Sequence, residues 1–168
     1  KVAGFRAAAQ VHLVETSAAL RTEQATRVTA TWHDDVSSLP DLPLFLVANE
    51  FFDALPIRQF QRDGTGWREV LVTVQGKDLA RGLSDAQAQP DLAHRLDDTK
   101  DGDIVEICPA LPAIIAQLSN RIASHGGAAL IIDYGDWCSL GDTLQAVHNH
   151  TPVDPFAAPG DADITAHV

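Results

Sequence analysis

The stretch from Pro109 to Ile132 limits the fold more than any other part of the chain. Leu111, Ile114, Ile115, Leu118 and Ile122 recur at helical spacing. They predict a helix over 109–124 with a single apolar stripe. Pro109 and Pro112 sit near its first turn, where a missing N–H is tolerated. Arg121 and His125 suit its negative C-terminal end, and Gly126-Gly127 stop it. The apolar run 128–132 follows at once. Helix, glycine stop and strand in direct succession is the grammar of an α/β fold. Three more apolar runs, 11–14, 28–32 and 44–48, are continuous rather than alternating. That pattern predicts strands of a parallel sheet, buried on both faces. Thr16 and Ser17 are good N-cap types, and 18–30 has helix-compatible composition with a thin apolar face.

The segment between the run 44–48 and the helix is too long for a simple crossover, which needs only about a dozen residues. An insertion is therefore expected over 57–108, between core segments 1–56 and 109–168. Within it, 57–62 and 67–74 flank Asp63-Gly64-Thr65-Gly66 and predict a β-hairpin packed by Trp67. Residues 75–100 are polar and read as loop, and 104–107 is a candidate return strand. After Gly135 the sequence is rich in loop signals. A short helix is expected at 143–148, capped by Asp142.

Composition narrows the function. The 168 residues are 45 % hydrophobic and carry a net charge of −11. That balance argues against nucleic acid or an anionic membrane as partner, since both attract a basic face. It suits a cationic substrate. No apolar run reaches the ~18 residues of a membrane span. Cys108 and Cys138 form no CxxC motif and no disulfide-rich pattern, so a reducing compartment is expected. The sequence starts at Lys1 and contains no Met. The expectation is an internal piece of a longer protein.

All four apolar runs end in polar groups: Glu15, His33-Asp34-Asp35, Asn49-Glu50 and Asp133-Tyr134. In open parallel sheets, ligands bind outside the carboxyl ends of the strands. A carboxylate at the end of the second strand accepts from both hydroxyls of a ribose, and Glu15 fits that role. The matching glycine loop belongs roughly 20 residues upstream. Gly4 alone cannot form it, so the sequence carries half of such a site. Plainer roles stand beside these. Glu15 also reads as a solvated strand-end acid, Asn49-Glu50 as an Asx-type cap, and Asp53 as a helix N-cap. Phe51 and Phe52 also read as core, and Asp133 as a cap on the loop that follows it. His148, His150 and His167 with Asp161 and Asp163 lack metal-ligand spacing, and no metal is expected.

Several stretches carry a resemblance together: "HLVETSAALR", "WHDDV", "VANEFFDALPIRQF", "WREVLV", "GGAALIIDYG", "DTLQAVHNH" and "PGDADITAHV". In this order they resemble the MidA-like family of S-adenosylmethionine-dependent methyltransferases. That family includes a mitochondrial complex I assembly factor with protein-arginine methyltransferase activity. The resemblance implies a class I methyltransferase fold, a Rossmann-like and mostly parallel sheet with an insertion after the fourth strand. It implies S-adenosylmethionine as cofactor. Glu15 would then bind the ribose, and Trp32, His33 and Asp34 would meet the adenine. Asn49 and Glu50 would lie beside the methyl group. With an arginine acceptor, Glu50 is the first choice to grip the guanidinium and Asp53 the second. The implied partner is a protein substrate, in the mitochondrial relatives a core subunit of respiratory complex I. The implied compartment is the bacterial cytoplasm, or alternatively the mitochondrial matrix. The hairpin edge is a candidate homodimer contact. Two other readings remain: a nicotinamide-dependent oxidoreductase, which shares the ribose acid, and a non-catalytic assembly module.

Overall fold

The structure is a computed structural model that describes residues 3–167. Lys1, Val2 and Val168, the outer ends of the two expected core segments, lie outside the described residues. The elements in order are α1 (Ala3–Ala8), β1 (His12–Val14), α2 (Ala18–Ala25), β2 (Thr31–His33), β3 (Leu44–Asn49), β4 (Arg58–Asp63), β5 (Gly66–Gln75) and β6 (Asp78–Leu83). They continue with β7 (Ile104–Ile107), α3 (Leu111–His125), β8 (Gly127–Ile132), β9 (Gln145–His148), β10 (Thr151–Val153) and β11 (Asp163–Thr165). The chain divides into two compact units, Lys1–Phe45 with Ala113–Ala128, and Leu46–Pro112 with Ala129–Val168. The second contains the whole of the expected insertion.

In the first unit β1 and β2 pair in parallel, with Leu13 opposite Trp32. Between them, the Ser17 hydroxyl caps α2 by accepting from the Leu20 N–H at 3.3 Å. The helix stops at Ala25, short of the expected 18–30. Thr26 closes it, because its hydroxyl and its N–H both donate to the Glu23 carbonyl. Asp35 caps the 3₁₀ turn Val36–Ser38 by accepting from the Ser37 N–H at 2.7 Å. The Ser37 hydroxyl and N–H hold the Asp35 carboxyl below its ordinary pKa. The end of that turn is held from α3, where Arg121 donates to the carbonyls of Val36 and Leu39.

Strands β3 and β8 form a separate two-stranded sheet. The Leu44 N–H donates to Gly126 O at 3.0 Å, and the Glu50 N–H donates to Ile132 O at 2.9 Å. The two strands therefore run the same way. Gly127 begins β8 at φ +127°, and a Cβ there would collide with the Leu44 backbone. The four predicted strands are thus present and pair two by two in parallel. The remaining ladders are antiparallel, so the mostly parallel sheet expected from the pattern is realised as two parallel pairs. Two-sided burial of these strands is not found. Phe45 and Val47 on β3 are 72 % and 68 % exposed, and every residue of β8 is exposed. Continuous apolar sequence marks strands built for cover on both faces, and the described residues do not supply that cover.

The second unit has its own core. Strands β6-β5-β4-β7 form one antiparallel sheet. Gly64-Thr65 turn β4 into β5, with Gly64 at φ +59° as a primed hairpin turn requires at its first central position. Gly76-Lys77 turn β5 into β6 in the same way, with Gly76 at φ +69°. The expected loop 75–100 therefore contains a strand. The return strand at 104–107 is present as β7 and pairs with β4. Phe60, Trp67, Leu92 and Val105 are almost fully buried together, so Trp67 does pack the hairpin.

The expected helix at 143–148 is a correction. Residues 145–148 form β9, the centre of the sheet β10-β9-β11. Asp142 accepts from the Leu144 N–H as an Asx turn and starts no helix. The β9–β10 hairpin turns through Asn149 and His150, both at positive φ, residue types that tolerate that region.

Candidate active site

The first unit gathers the residues expected to meet a nucleoside. Glu15 leaves β1 half-buried, and the chain holds its carboxylate still. One oxygen accepts from the Ser17 N–H at 2.8 Å, the other from Gln24 Nε2 at 3.3 Å. Each oxygen keeps acceptor capacity for one further donor. The Trp32 indole N–H donates to Gln24 Oε1 at 2.8 Å, so one glutamine sets both groups. Arg21 donates to the carbonyls of Glu15 and His33 and pairs with the Asp34 carboxylate at 2.5 Å. His33 Nε2 lies 2.9 Å from His12 Nδ1. Glu15, Trp32, His33 and Asp34 therefore belong to one hydrogen-bonded cluster at the ends of β1 and β2.

The second unit holds an open cleft of about 470 Å³ lined by Glu50, Asp53, Ala54, Tyr134, Gln145, Val147, Asp163 and Thr165. Three of the eight are carboxylates. Glu50 follows β3 at φ +48°, a region that costs a side-chain-bearing residue roughly 1–2 kcal/mol. That strain, held at a residue lining the cleft, makes Glu50 a candidate site residue. The two N–H groups of the next turn, Phe52 and Asp53, both donate to Asp133 Oδ2, at 3.1 and 3.3 Å. Asp133 is thus the clamp that aims this turn, while its Oδ1 accepts from the Tyr134 N–H. Asp53 does not cap a helix. It is 4 % exposed, and its Oδ1 is buried without a hydrogen-bond partner. A buried carboxylate oxygen with no donor is costly, and a cationic ligand would relieve it.

Tyr134 spans the cleft and donates its hydroxyl to Thr165 Oγ1 at 2.9 Å. The bond to Thr165 pulls its pKa down. Burial and the carboxylates of Asp53 and Glu50 together outweigh that and hold the phenol above its ordinary value. Phe52 is buried and meets Phe51 edge to face at 5.2 Å, so Phe52 packs as core. Asn49 ends β3 exposed and does not line the cleft.

Sequence reasoning missed Gln145, Asp163 and Thr165 as cleft residues. The pairing of β11 with β9 brings them in, opposite Glu50 in the cleft but far from it in sequence. His148 serves the same small sheet, donating from Nδ1 to Asp161 O and accepting from Asn149 at Nε2. Among the described residues, no group of three His, Cys, Asp or Glu side chains is placed to hold a metal ion.

The comparisons with known proteins give the family. All 168 residues match the family described as "Putative S-adenosyl-L-methionine-dependent methyltransferase", and the chain belongs to that family. It is 42 % identical over 143 residues to the mitochondrial protein arginine methyltransferase NDUFAF7 of Mus musculus, covering 84 % of this chain and 33 % of that one. The Xenopus tropicalis protein of the same name is 35 % identical over 185 residues, with 94 % and 43 % covered. A Burkholderia thailandensis superfamily member, crystallised with S-adenosyl-homocysteine, superposes with a TM-score of 0.73 at 27 % identity. That match covers 95 % of this chain and 45 % of the other. The chain therefore spans about a third of the mouse relative and less than half of the solved structure. The family resemblance carried by the sequence motifs is borne out, and so is the α/β class.

Proposed function

We propose that the protein carrying this chain is an S-adenosylmethionine-dependent methyltransferase acting on arginine side chains of a protein substrate. The observation that carries this is the acidic cleft, in which Glu50 sits at a strained backbone position and Asp53 has a buried oxygen without a donor. We read β1, β2, β3 and β8 as the second to fifth strands of a class I methyltransferase sheet, with 57–108 inserted after the fourth. Glu15 suits a ribose, because its oxygens are oriented by Ser17 and Gln24 yet keep free lone pairs. Trp32, His33 and Asp34 are assigned to the adenine, and Asn49 to the cofactor's methionine end.

When bound, the cofactor supplies a methyl group on a sulfonium. The residues of this chain have the other tasks. An arginine guanidinium stays charged, with a pKa above about 12, so it must be oriented and then relieved of a proton. Glu50 grips it as a carboxylate, which accepts two parallel N–H bonds. Asp53 is the second acid, set deep in the cleft behind Glu50's turn. Proximity and alignment supply much of the rate in such a displacement. The protein substrate is assigned as a core subunit of respiratory complex I, following the resemblance. The curated relatives are named mitochondrial and the crystallised one is bacterial. A reducing interior common to both compartments suits the free thiols of Cys108 and Cys138.

The test uses the full-length protein. Glu50→Gln should leave S-adenosyl-homocysteine affinity nearly intact and lower methyl transfer by about a hundredfold or more, the scale of losing one charged partner. Normal turnover would remove Glu50 from the mechanism. Tight binding of NAD instead of S-adenosyl-homocysteine would replace the class altogether.

A further inference from the structure

Glu106 lies on β7 in the insertion, away from the cleft, and is buried. A buried carboxylate is retained only where hydrogen bonds compensate its lost hydration. Here the compensation comes from neutral donors. Oε1 accepts from Gln59 Nε2 at 2.7 Å and from the Thr143 N–H at 2.9 Å. Oε2 accepts from the Thr143 hydroxyl at 2.5 Å. The Glu106 N–H donates to Ser139 Oγ at 3.0 Å. Gln59 also donates to Asp142 at 2.6 Å, and Arg81 pairs with the same carboxylate. Burial alone would raise the pKa of Asp142, but the bonds from Arg81 and Gln59 win and hold it low. Three strands of the insertion thus grip the segment 139–143.

That segment leads to the cleft. Thr143 Oγ1, while donating to Glu106, accepts from the His167 N–H at 2.9 Å. The next residue back, Ala166, donates its N–H to Asp53 O at 3.0 Å. Thr165 takes the Tyr134 hydroxyl. The cleft wall that carries Asp163 and Thr165 is therefore held by β9, Asp53 and Tyr134, and just beyond its end by the Thr143 hydroxyl, which Glu106 orients.

We propose that Glu106 is a positioning residue for the cleft, acting through Thr143 to set the strand β11 that faces Glu50 and Asp53. The proposal rests on the methyltransferase reading for its consequence but not for its geometry. The insertion is then more than an appendage, because it sets one wall of the substrate site.

The experiment compares full-length wild type, Thr143→Val and Thr143→Ser. Valine keeps the volume and removes the hydroxyl; serine keeps the hydroxyl. In Thr143→Val, amide exchange at His167 should quicken about fivefold, the worth of one ordinary hydrogen bond. The KM for an arginine-containing peptide should rise by a similar factor with kcat and S-adenosyl-homocysteine affinity unchanged. Thr143→Ser should restore both. Unchanged exchange at 163–167 overturns the proposal, as does a serine variant that behaves like valine. A parallel fall of kcat, cofactor affinity and thermal stability overturns it too, since that is general loosening. A wild type that methylates no arginine peptide counts against the proposed function alone. The exchange arm and its rescue by serine then decide the positioning link by themselves.

Discussion

The antiparallel sheet β6-β5-β4-β7 mixes polar and apolar residues while the parallel pair β3–β8 is almost wholly apolar, yet the mixed sheet holds the buried cluster. Phe60 and Trp67 at the β4–β7 end of the sheet are 0 % and 1 % exposed, although the far half of β5 is open, whereas every residue of β8 is open and only Ala48 of β3 is buried. The difference lies in topology. Strands β4, β5 and β6 follow one another through two-residue turns, so they find their partners and their core within a short stretch of chain. Parallel strands cannot be neighbours in sequence and depend on distant segments for both faces. The chemical groups divide the same way. The antiparallel sheet uses its polar side chains for ion pairs, turns and the buried bonds of Gln59 and Glu106, while the ends of the parallel strands present Glu15, Glu50 and Asp133. One region stabilises itself, and the other displays residues.

The largest expected effect would test that self-sufficiency. Trp67→Ala should cost about 3–5 kcal/mol, the usual price of emptying a buried aromatic site. Chemical denaturation followed by a probe in the insertion would show it. A loss below about 1 kcal/mol would mean that this core does not hold the sheet. A smaller effect should separate display from stability. Glu15→Ala removes a cap contact worth about 1 kcal/mol at most, but should weaken S-adenosyl-homocysteine binding about tenfold in the full-length protein. Calorimetry with unchanged affinity would sink the ribose assignment.

The smallest effect belongs to the surface of the sheet. Arg58 donates two hydrogen bonds to Glu69, at 2.7 and 2.8 Å, and holds its carboxyl below the ordinary 4.5. The folded pKa is therefore lower than the unfolded one. The pair's contribution is complete above the unfolded value and is lost as pH falls through the folded value. Solvent screening keeps it small. Stability of Glu69→Gln measured against pH should lose only this acid limb, and an equal loss at neutral pH and at pH 3 would contradict the assignment.

Much of this was legible in the sequence, for identifiable reasons. The apolar runs and the i, i+3, i+4 stripe located β1, β3, β8 and α3, because burial patterns of those kinds have few alternatives. The stretch Asp78-Leu-Ala-Arg-Gly-Leu hid β6, since it has no β-branched residue and its partner β5 supplies the order. Residues 143–148 mimicked a capped helix because Asp142 makes its local bond in either structure. The acids of the cleft were half visible. Glu50 and Asp53 stood out at a strand end, but Asp163 and Thr165 enter only through the pairing of β11 with β9, which no local pattern encodes. Likewise Asp53 could be suspected from its neighbours, but its unpaired oxygen is a property of the folded cleft.

The pairing of β4 with β7 also fixes where the segment 58–107 begins and ends in space. Arg58 lies opposite Ile107, so the chain departs and returns at points about 5 Å apart. Ends that adjoin let the segment between them change length without pulling the flanking strands apart. Gln59 and Glu106 lie just inside those ends, so the bonds to Thr143 leave from the fixed base of the sheet and not from its free tip.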